Sequence, residues 1–138
     1  MGLALVVDDS KTILEMLVKC LSQDGLTVIT ATNGADALTQ LDTQTPDIIV
    51  LDVVLPDRSG FEICRDLKAQ EITSNIPIIM CSTKDTDKDK FWGLKQGADA
   101  YLTQPIDQQE LSKTVQQLTA RLNVVILFQY ITNFITKL

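Results

Sequence analysis

Histidine is absent from this chain of 138 residues, which removes the commonest general base and the commonest zinc ligand. Cysteine is scarce: Cys20, Cys64 and Cys81 stand far apart in apolar surroundings, so buried free thiols are expected rather than a disulfide or a metal cluster. That usage fits a reducing, cytoplasmic setting. Positive charge is in deficit, with 12 Lys and Arg against 18 Asp and Glu, a net charge of −6 and a pI near 4.5. Such a balance argues against binding the nucleic-acid backbone. There is no low-complexity tract, no solenoid repeat and no glycine-rich loop after an apolar run, which argues against a nucleotide cradle. An apolar run begins at Leu3, leaving no room for a basic leader and an apolar signal core, so secretion is not expected. What remains, at 45% hydrophobic and 22% charged, is the composition of one ordinary globular domain.

Short apolar runs dominate the pattern. Ile48-Ile49-Val50-Leu51 is rich in β-branched residues, ends at Asp52 and breaks at Pro56 and Gly60. It reads as a strand buried on both faces with a carboxylate at its tip. Leu3 to Val7 is a similar run that ends in Asp8 and Asp9. Leu26 to Ala31, Ile76 to Cys81 (ended by Ser82) and Ala100 to Thr103 (closed by Gln104-Pro105) read as three further strands. Between them, apolar residues recur at helical spacing. Ile13, Leu14, Leu17, Val18 and Leu21 run up to Gly25. Ala35, Ala37, Leu38 and Leu41 follow the Asn33-Gly34 turn. Phe61, Cys64 and Leu67 form a third set, and Phe91, Trp92 and Leu94 lie after a polar loop from Thr83 to Asp89, with Gly97 as the stop. Asp107 opens a fifth helix on Leu111, Val115, Leu118 and Leu122. Five strands alternating with five helices imply an α/β domain with a parallel sheet and helices on both faces. Ligands in such open sheets bind beyond the carboxyl ends of the strands. Asp8, Asp9, Asp52, Ser82 and Gln104 should therefore share one edge.

Carboxylates about 5 Å apart repel by roughly 3 kcal/mol per pair at an effective dielectric near 20, so this edge calls for a cation. Oxygen ligands without His or Cys, and without an EF-hand loop, favour Mg²⁺. Asp9 or Ser10 is also placed to cap the first helix. A carboxylate beside Mg²⁺ can attack a phosphoryl group and carry it as an aspartyl phosphate, with the Ser82 hydroxyl and backbone N–H groups of the following loop as donors.

Val7-Asp8-Asp9-Ser10, Leu51-Asp52 with Pro56 and Gly60, Ser82, and Gly97-Ala98-Asp99-Ala100-Tyr101-Leu102-Thr103-Gln104-Pro105 together resemble the receiver domain of two-component response regulators, the CheY-like family. The likeness spans about residues 3 to 121, and Ser82-Thr83-Lys84 with Asp89 to Gly97 looks most like single-domain receivers of twitching-motility and phototaxis systems. It implies a flavodoxin-like sheet of order 2-1-3-4-5. By the same likeness, Asp52 matches the phosphoacceptor and Asp8 and Asp9 the acidic pair that holds Mg²⁺. Val54 sits where a backbone carbonyl joins the metal, Ser82 matches the switch hydroxyl and Tyr101 the aromatic switch. The implied partners are a histidine kinase and a downstream protein target, the latter bound through the fourth helix, fifth strand and fifth helix. In this reading the chain is a signalling domain rather than an enzyme, and its output is protein contact. A haloacid-dehalogenase-like phosphatase would place a second Asp two residues beyond the nucleophile, where this chain has Val54.

One position departs from the pattern. The family's lysine before the fifth-strand proline is Gln104 here, a neutral amide in place of a point charge. Weaker coupling between phosphorylation and the output face is expected, with a non-switching interaction module as the alternative; Lys84, two residues past Ser82, is the candidate substitute cation. Beyond the receiver, assigned to residues 1–121, residues 122–138 are an apolar extension of the fifth helix. Val124, Leu127, Phe128, Ile131, Phe134, Ile135 and Leu138 share one helical face. The segment is too short and too interrupted to span a bilayer, and a single cation, Lys137, gives little attraction to an anionic membrane. Self-association through this tail is the expectation, although the spacing also allows a strand or an interfacial helix.

Overall fold

The computed structural model describes residues 2–138, with the side chains of 121–126 outside the described set. Strand and helix alternate throughout: β1 (Leu3–Val7), α1 (Lys11–Gln23), β2 (Thr27–Ala31), α2 (Gly34–Thr43), β3 (Ile48–Leu51), α3 (Gly60–Ala69), β4 (Ile78–Ser82), α4 (Asp87–Lys95), β5 (Ala100–Thr103) and α5 (Gln108–Thr136). All strand pairs are parallel and the order is β2-β1-β3-β4-β5, as the family likeness implied.

The apolar runs are continuous because each strand feeds two cores. Leu5, Val7, Ile49, Leu51, Ile78 and Met80 face α2 and α3 with Ala37, Ile63, Cys64 and Leu67. The alternate residues, Ala4, Val6, Ile48, Val50, Ile79 and Cys81, face α1 and α5 with Leu14, Leu17, Leu21, Leu111, Val115 and Leu118. Side chains that alternate across a strand, with helices covering both faces, require this pattern. The three cysteines are buried and free, and burial pushes the Cys64 thiol up to about 11 and that of Cys81 up to about 12.

Several boundaries differ from the sequence reading, the smallest difference being at β2, which begins at Thr27 rather than Leu26. The fourth strand begins at Ile78 rather than Ile76 and includes Ser82, which pairs with Thr103. Pro77 has no N–H for the ladder, and only its carbonyl takes part, accepting from the Ile49 N–H at 3.0 Å. The fourth helix starts inside the expected polar loop. Thr86 and Asp89 form a capping box, and Asp87 and Asp89 place negative charge on the helix N-terminus, so the polar residues are themselves the first turn. Gly25 and Gly97, the anticipated helix stops, have φ of 90° and 108°, a region that glycine enters without strain. At the other end, α5 runs unbroken to Thr136, so the tail is helical rather than a strand. The expectations for the side chains of Leu122 and Val124 lie outside the described residues. No described helix is long and apolar enough to cross a membrane.

One ion pair ties three segments together at the amino edge of β4. The Lys68 ammonium donates to the Ile76 carbonyl at 2.8 Å and the Ser74 carbonyl at 3.4 Å, and lies 3.0 Å from Asp99, whose carboxylate also accepts from the Ile78 N–H at 2.9 Å. Both side chains are largely shielded, so removing the cation leaves a carboxylate and two carbonyls short of a partner. Lys68→Met is expected to cost about 2 kcal/mol in urea unfolding. An unchanged midpoint would mean that water replaces the ammonium without loss.

Candidate functional site

Backbone bonds carry the sheet one residue past the strands and so fix the side chains at its carboxyl edge. The Asp8 N–H donates to the Ala31 carbonyl at 3.1 Å, the Asp52 N–H to Val7 at 2.9 Å and the Gln104 N–H to Ser82 at 2.9 Å. Asp8, Asp9 and Asp52 thereby converge, each offering a carboxylate oxygen within 4.8 Å of the others. Asp8 is buried, Asp52 half-buried and Asp9 exposed, so the cluster opens to solvent on one side. The helix cap falls to Ser10, whose hydroxyl accepts from the Ile13 N–H at 3.4 Å. Asp8 in turn accepts from the Ser10 N–H at 2.8 Å, which aims its carboxylate.

Electrostatically the cluster is uncompensated. Burial, and then the charge of Asp8, push the Asp52 carboxyl up to about 6, against the pull of the Val54 and Val53 N–H groups and the Ser82 hydroxyl. Burial also raises Asp8, with Asp9 adding to the effect and Ser10 and Gln104 opposing it. Among the described ion pairs none reaches these three carboxylates. Arg58 lies in the adjoining loop, yet its guanidinium is held by Glu62 at 2.9 Å and Asp66 at 2.6 Å. Three oxygen donors of this charge, crowded and without a cationic side chain paired to them among the described residues, fit a hard divalent ion.

The other candidate residues surround the cluster. Ser82 is fully buried at the tip of β4, and its hydroxyl accepts from the Lys84 N–H at 3.2 Å. Val54 is exposed, with its N–H 3.3 Å from an Asp52 oxygen. The Gln104 amide donates to the Cys81 carbonyl at 3.2 Å and to Asp8 at 3.4 Å, so it is turned toward the acidic pair. Tyr101 is half-buried against Gly93 of α4, and its hydroxyl donates to the Lys84 carbonyl at 2.6 Å. The Lys84 side chain lines an open cleft of about 510 Å³ with Val53 to Ser59 and Phe61, beside Asp52. Among the described hydrogen bonds its ammonium makes none with the three carboxylates.

Two residues matter more than the sequence reading allowed. Asp57, read there as part of a chain break, accepts from the Gly34 and Ala35 N–H groups at 2.8 and 2.9 Å. It anchors the loop after Asp52 to the N-terminus of α2, and those two N–H groups hold its carboxyl below the usual range. Gly60 is more than a turn residue: a Cβ there would overlap the Asp52 carbonyl oxygen and come within 2.9 Å of the Val53 Cα.

Residues 4–116 match the model of the response regulator receiver domain. The chain belongs to that family. It is 40% identical over 120 residues to Protein PilH of Pseudomonas aeruginosa, which covers 87% of this chain and 99% of PilH, so that relative is itself of receiver-domain length. It is 42% identical over 117 residues to the alkaline phosphatase synthesis transcriptional regulatory protein PhoP of Bacillus subtilis, matching 48% of that longer protein. Among solved structures, a putative response regulator from Chloroflexus aurantiacus superposes with a TM-score of 0.83 at 34% identity, covering 86% of this chain and 98% of the other. The chemotaxis response regulator CheY4 of Vibrio cholerae gives a TM-score of 0.80 at 33% identity and the same coverage. The receiver fold, and membership of the two-component signalling class, therefore stand on sequence and structure together.

Proposed function

We propose that this receiver accepts a phosphoryl group on Asp52 from the phosphohistidine of a histidine kinase and passes the signal on by binding a protein target. The observation that carries the reading is the convergence of Asp8, Asp9 and Asp52 within 4.8 Å at the strand tips. In the transfer, an Asp52 carboxylate oxygen bonds to phosphorus as the phosphorus–nitrogen bond to the kinase imidazole breaks, and the imidazole nitrogen keeps the electron pair and takes up a proton. Without metal, burial and the Asp8 charge push the Asp52 carboxyl up to about 6, which still leaves it mostly ionised at neutral pH, and the ionised oxygen is the nucleophile. Mg²⁺, held by Asp8, Asp9, Asp52 and the Val54 carbonyl, supplies neutralisation of the phosphoryl oxygens when bound. Ser82 donates to a phosphoryl oxygen, and its departure from the Lys84 N–H frees the segment whose carbonyl now holds Tyr101. Tyr101 then reports to the α4, β5 and α5 face, where Phe91, Trp92 and Leu94 are exposed. Gln104 offers a neutral donor to the same phosphoryl group.

In this reading the receiver comprises residues 1–121, residues 122–138 are an appended stretch of helix, and the protein works in the cytoplasm, catalysing no more than its own phosphorylation and dephosphorylation. The test is incubation with a small acyl phosphate and Mg²⁺, followed by mass mapping of the acid-labile phosphate. One phosphoryl group is expected on the peptide containing Asp52, not formed when Mg²⁺ is chelated beforehand and retained for longer in Gln104→Lys, where an added cation compensates the charge of about −2. Phosphate on any other peptide sinks the assignment.

A further inference from the structure

We propose that the end of α5, residues 127–138, is a self-association seam whose occupant is the same segment of a second copy of this chain. Leu127, Phe128, Ile131, Phe134, Ile135 and Leu138 are all exposed, by 47% to 90%. Leu127, Ile131, Phe134 and Leu138 recur at alternating steps of four, three and four, the spacing at which two helices interdigitate. Their own domain cannot cover them. At 3.6 residues per turn they point about 160° away from Leu111, Val115 and Leu118, the α5 residues that pack on the sheet.

Charge narrows the occupant to another copy. Residues 122–136 contain no charged side chain, so two such helices meet without like-charge repulsion, and a partner selected by charge finds nothing to read. An anionic membrane has only Lys137 to attract. The area suffices: six side chains of roughly 100 Å² each, contributed from both copies, bury on the order of 1,200 Å², the lower end of the range for stable specific interfaces. Phe128 and Ile135 widen the stripe beyond a minimal seam and add to the covered surface.

Sedimentation velocity of the full chain, from micromolar to hundreds of micromolar, should show a rise to about twice the monomer mass. A chain carrying Ile131→Asp and Phe134→Asp should remain monomeric throughout, with the melting temperature that the unsubstituted chain has at dilution, and Phe134→Leu, which keeps the seam apolar, should still associate. A monomer at every concentration for the unsubstituted chain, or persistence of the dimer in the double variant, overturns the proposal. So does flotation of the unsubstituted chain, as a monomer, with vesicles of anionic lipid.

Discussion

Asp52→Asn is expected to abolish phosphoryl uptake while making the metal-free protein more stable at neutral pH. The first effect follows from chemistry: an amide has no anionic oxygen to bond to phosphorus. The second follows from the crowding of Asp8, Asp9 and Asp52 within 4.8 Å, where removal of one charge relieves the others. Folding moves the Asp52 carboxyl from an ordinary 3.8 to about 6, so the folded protein holds its proton more tightly than the unfolded chain does. About a unit below 3.8 the group is protonated in both states and the wild type bears no penalty. The penalty grows as pH rises from there through about 6, and it levels off about a unit above 6. A shift of this size corresponds to at most ~3 kcal/mol, and partial exposure of the group to solvent reduces it to about 1–2 kcal/mol. Urea unfolding of the two proteins in a chelating buffer should therefore converge as pH falls about a unit below 3.8 and separate by that amount at pH 7.5, with Asp52→Asn the more stable. Millimolar Mg²⁺ should reverse the order by stabilising the wild type alone, through preferential binding to its folded state. A variant that is less stable than wild type at pH 7.5 without metal would show that the carboxylates are not in electrostatic conflict.

The same three carboxylates were legible in the sequence because a parallel strand covered on both faces tolerates no polar residue until it ends. An apolar run followed abruptly by Asp8-Asp9 or by Asp52 marks the carboxyl edge of the sheet by itself. Legibility failed where a residue acts at a distance or through the backbone. Asp57 reaches N–H groups 22 and 23 positions earlier in the chain, and nothing in its local pattern separates that role from a turn. The amino end of β4 is not legible because Ile76 and Ile78 are equally apolar, and only the missing donor of Pro77 decides between them. The first turn of α4 has the composition of a loop because its capping residues are polar by necessity. The tail shows the converse. Its stripe was visible as a helical face, while the direction of that face relative to the core-facing residues of α5 becomes meaningful only once the helix is known to run on without a break.

Gly60→Ala is expected to be the most damaging single-methyl addition at the site. Glycine in the first turn of a helix ordinarily costs about 1 kcal/mol relative to alanine, so an isolated-helix argument predicts a gain. Geometry reverses the sign. The added Cβ overlaps the Asp52 carbonyl oxygen and lies 2.9 Å from both the Asp52 carbonyl carbon and the Val53 Cα, and all three are backbone atoms. Backbone at this point cannot yield cheaply: the Gly60 N–H is bonded to the Val53 carbonyl at 2.8 Å, and the Asp52 N–H to Val7 at 2.9 Å. Relief requires either that α3 move off the sheet, opening the core around Ile63, Cys64 and Leu67, or that the Asp52 peptide tilt and carry its carboxylate away from Asp8. We expect a loss of about 3 kcal/mol or more in urea unfolding, together with at least a tenfold slower phosphoryl uptake by whatever fraction remains folded, since misplacement by about an ångström is enough for such a loss. Gly34→Ala is the control. Its Cβ would meet Arg58 Cγ at 2.8 Å and Ile63 Cδ1 at 2.9 Å, which are side-chain rather than backbone atoms, so its cost should be smaller, about 1–2 kcal/mol. If the two glycines respond alike, the close approach of α3 to the Asp52 carbonyl is not what places the acceptor.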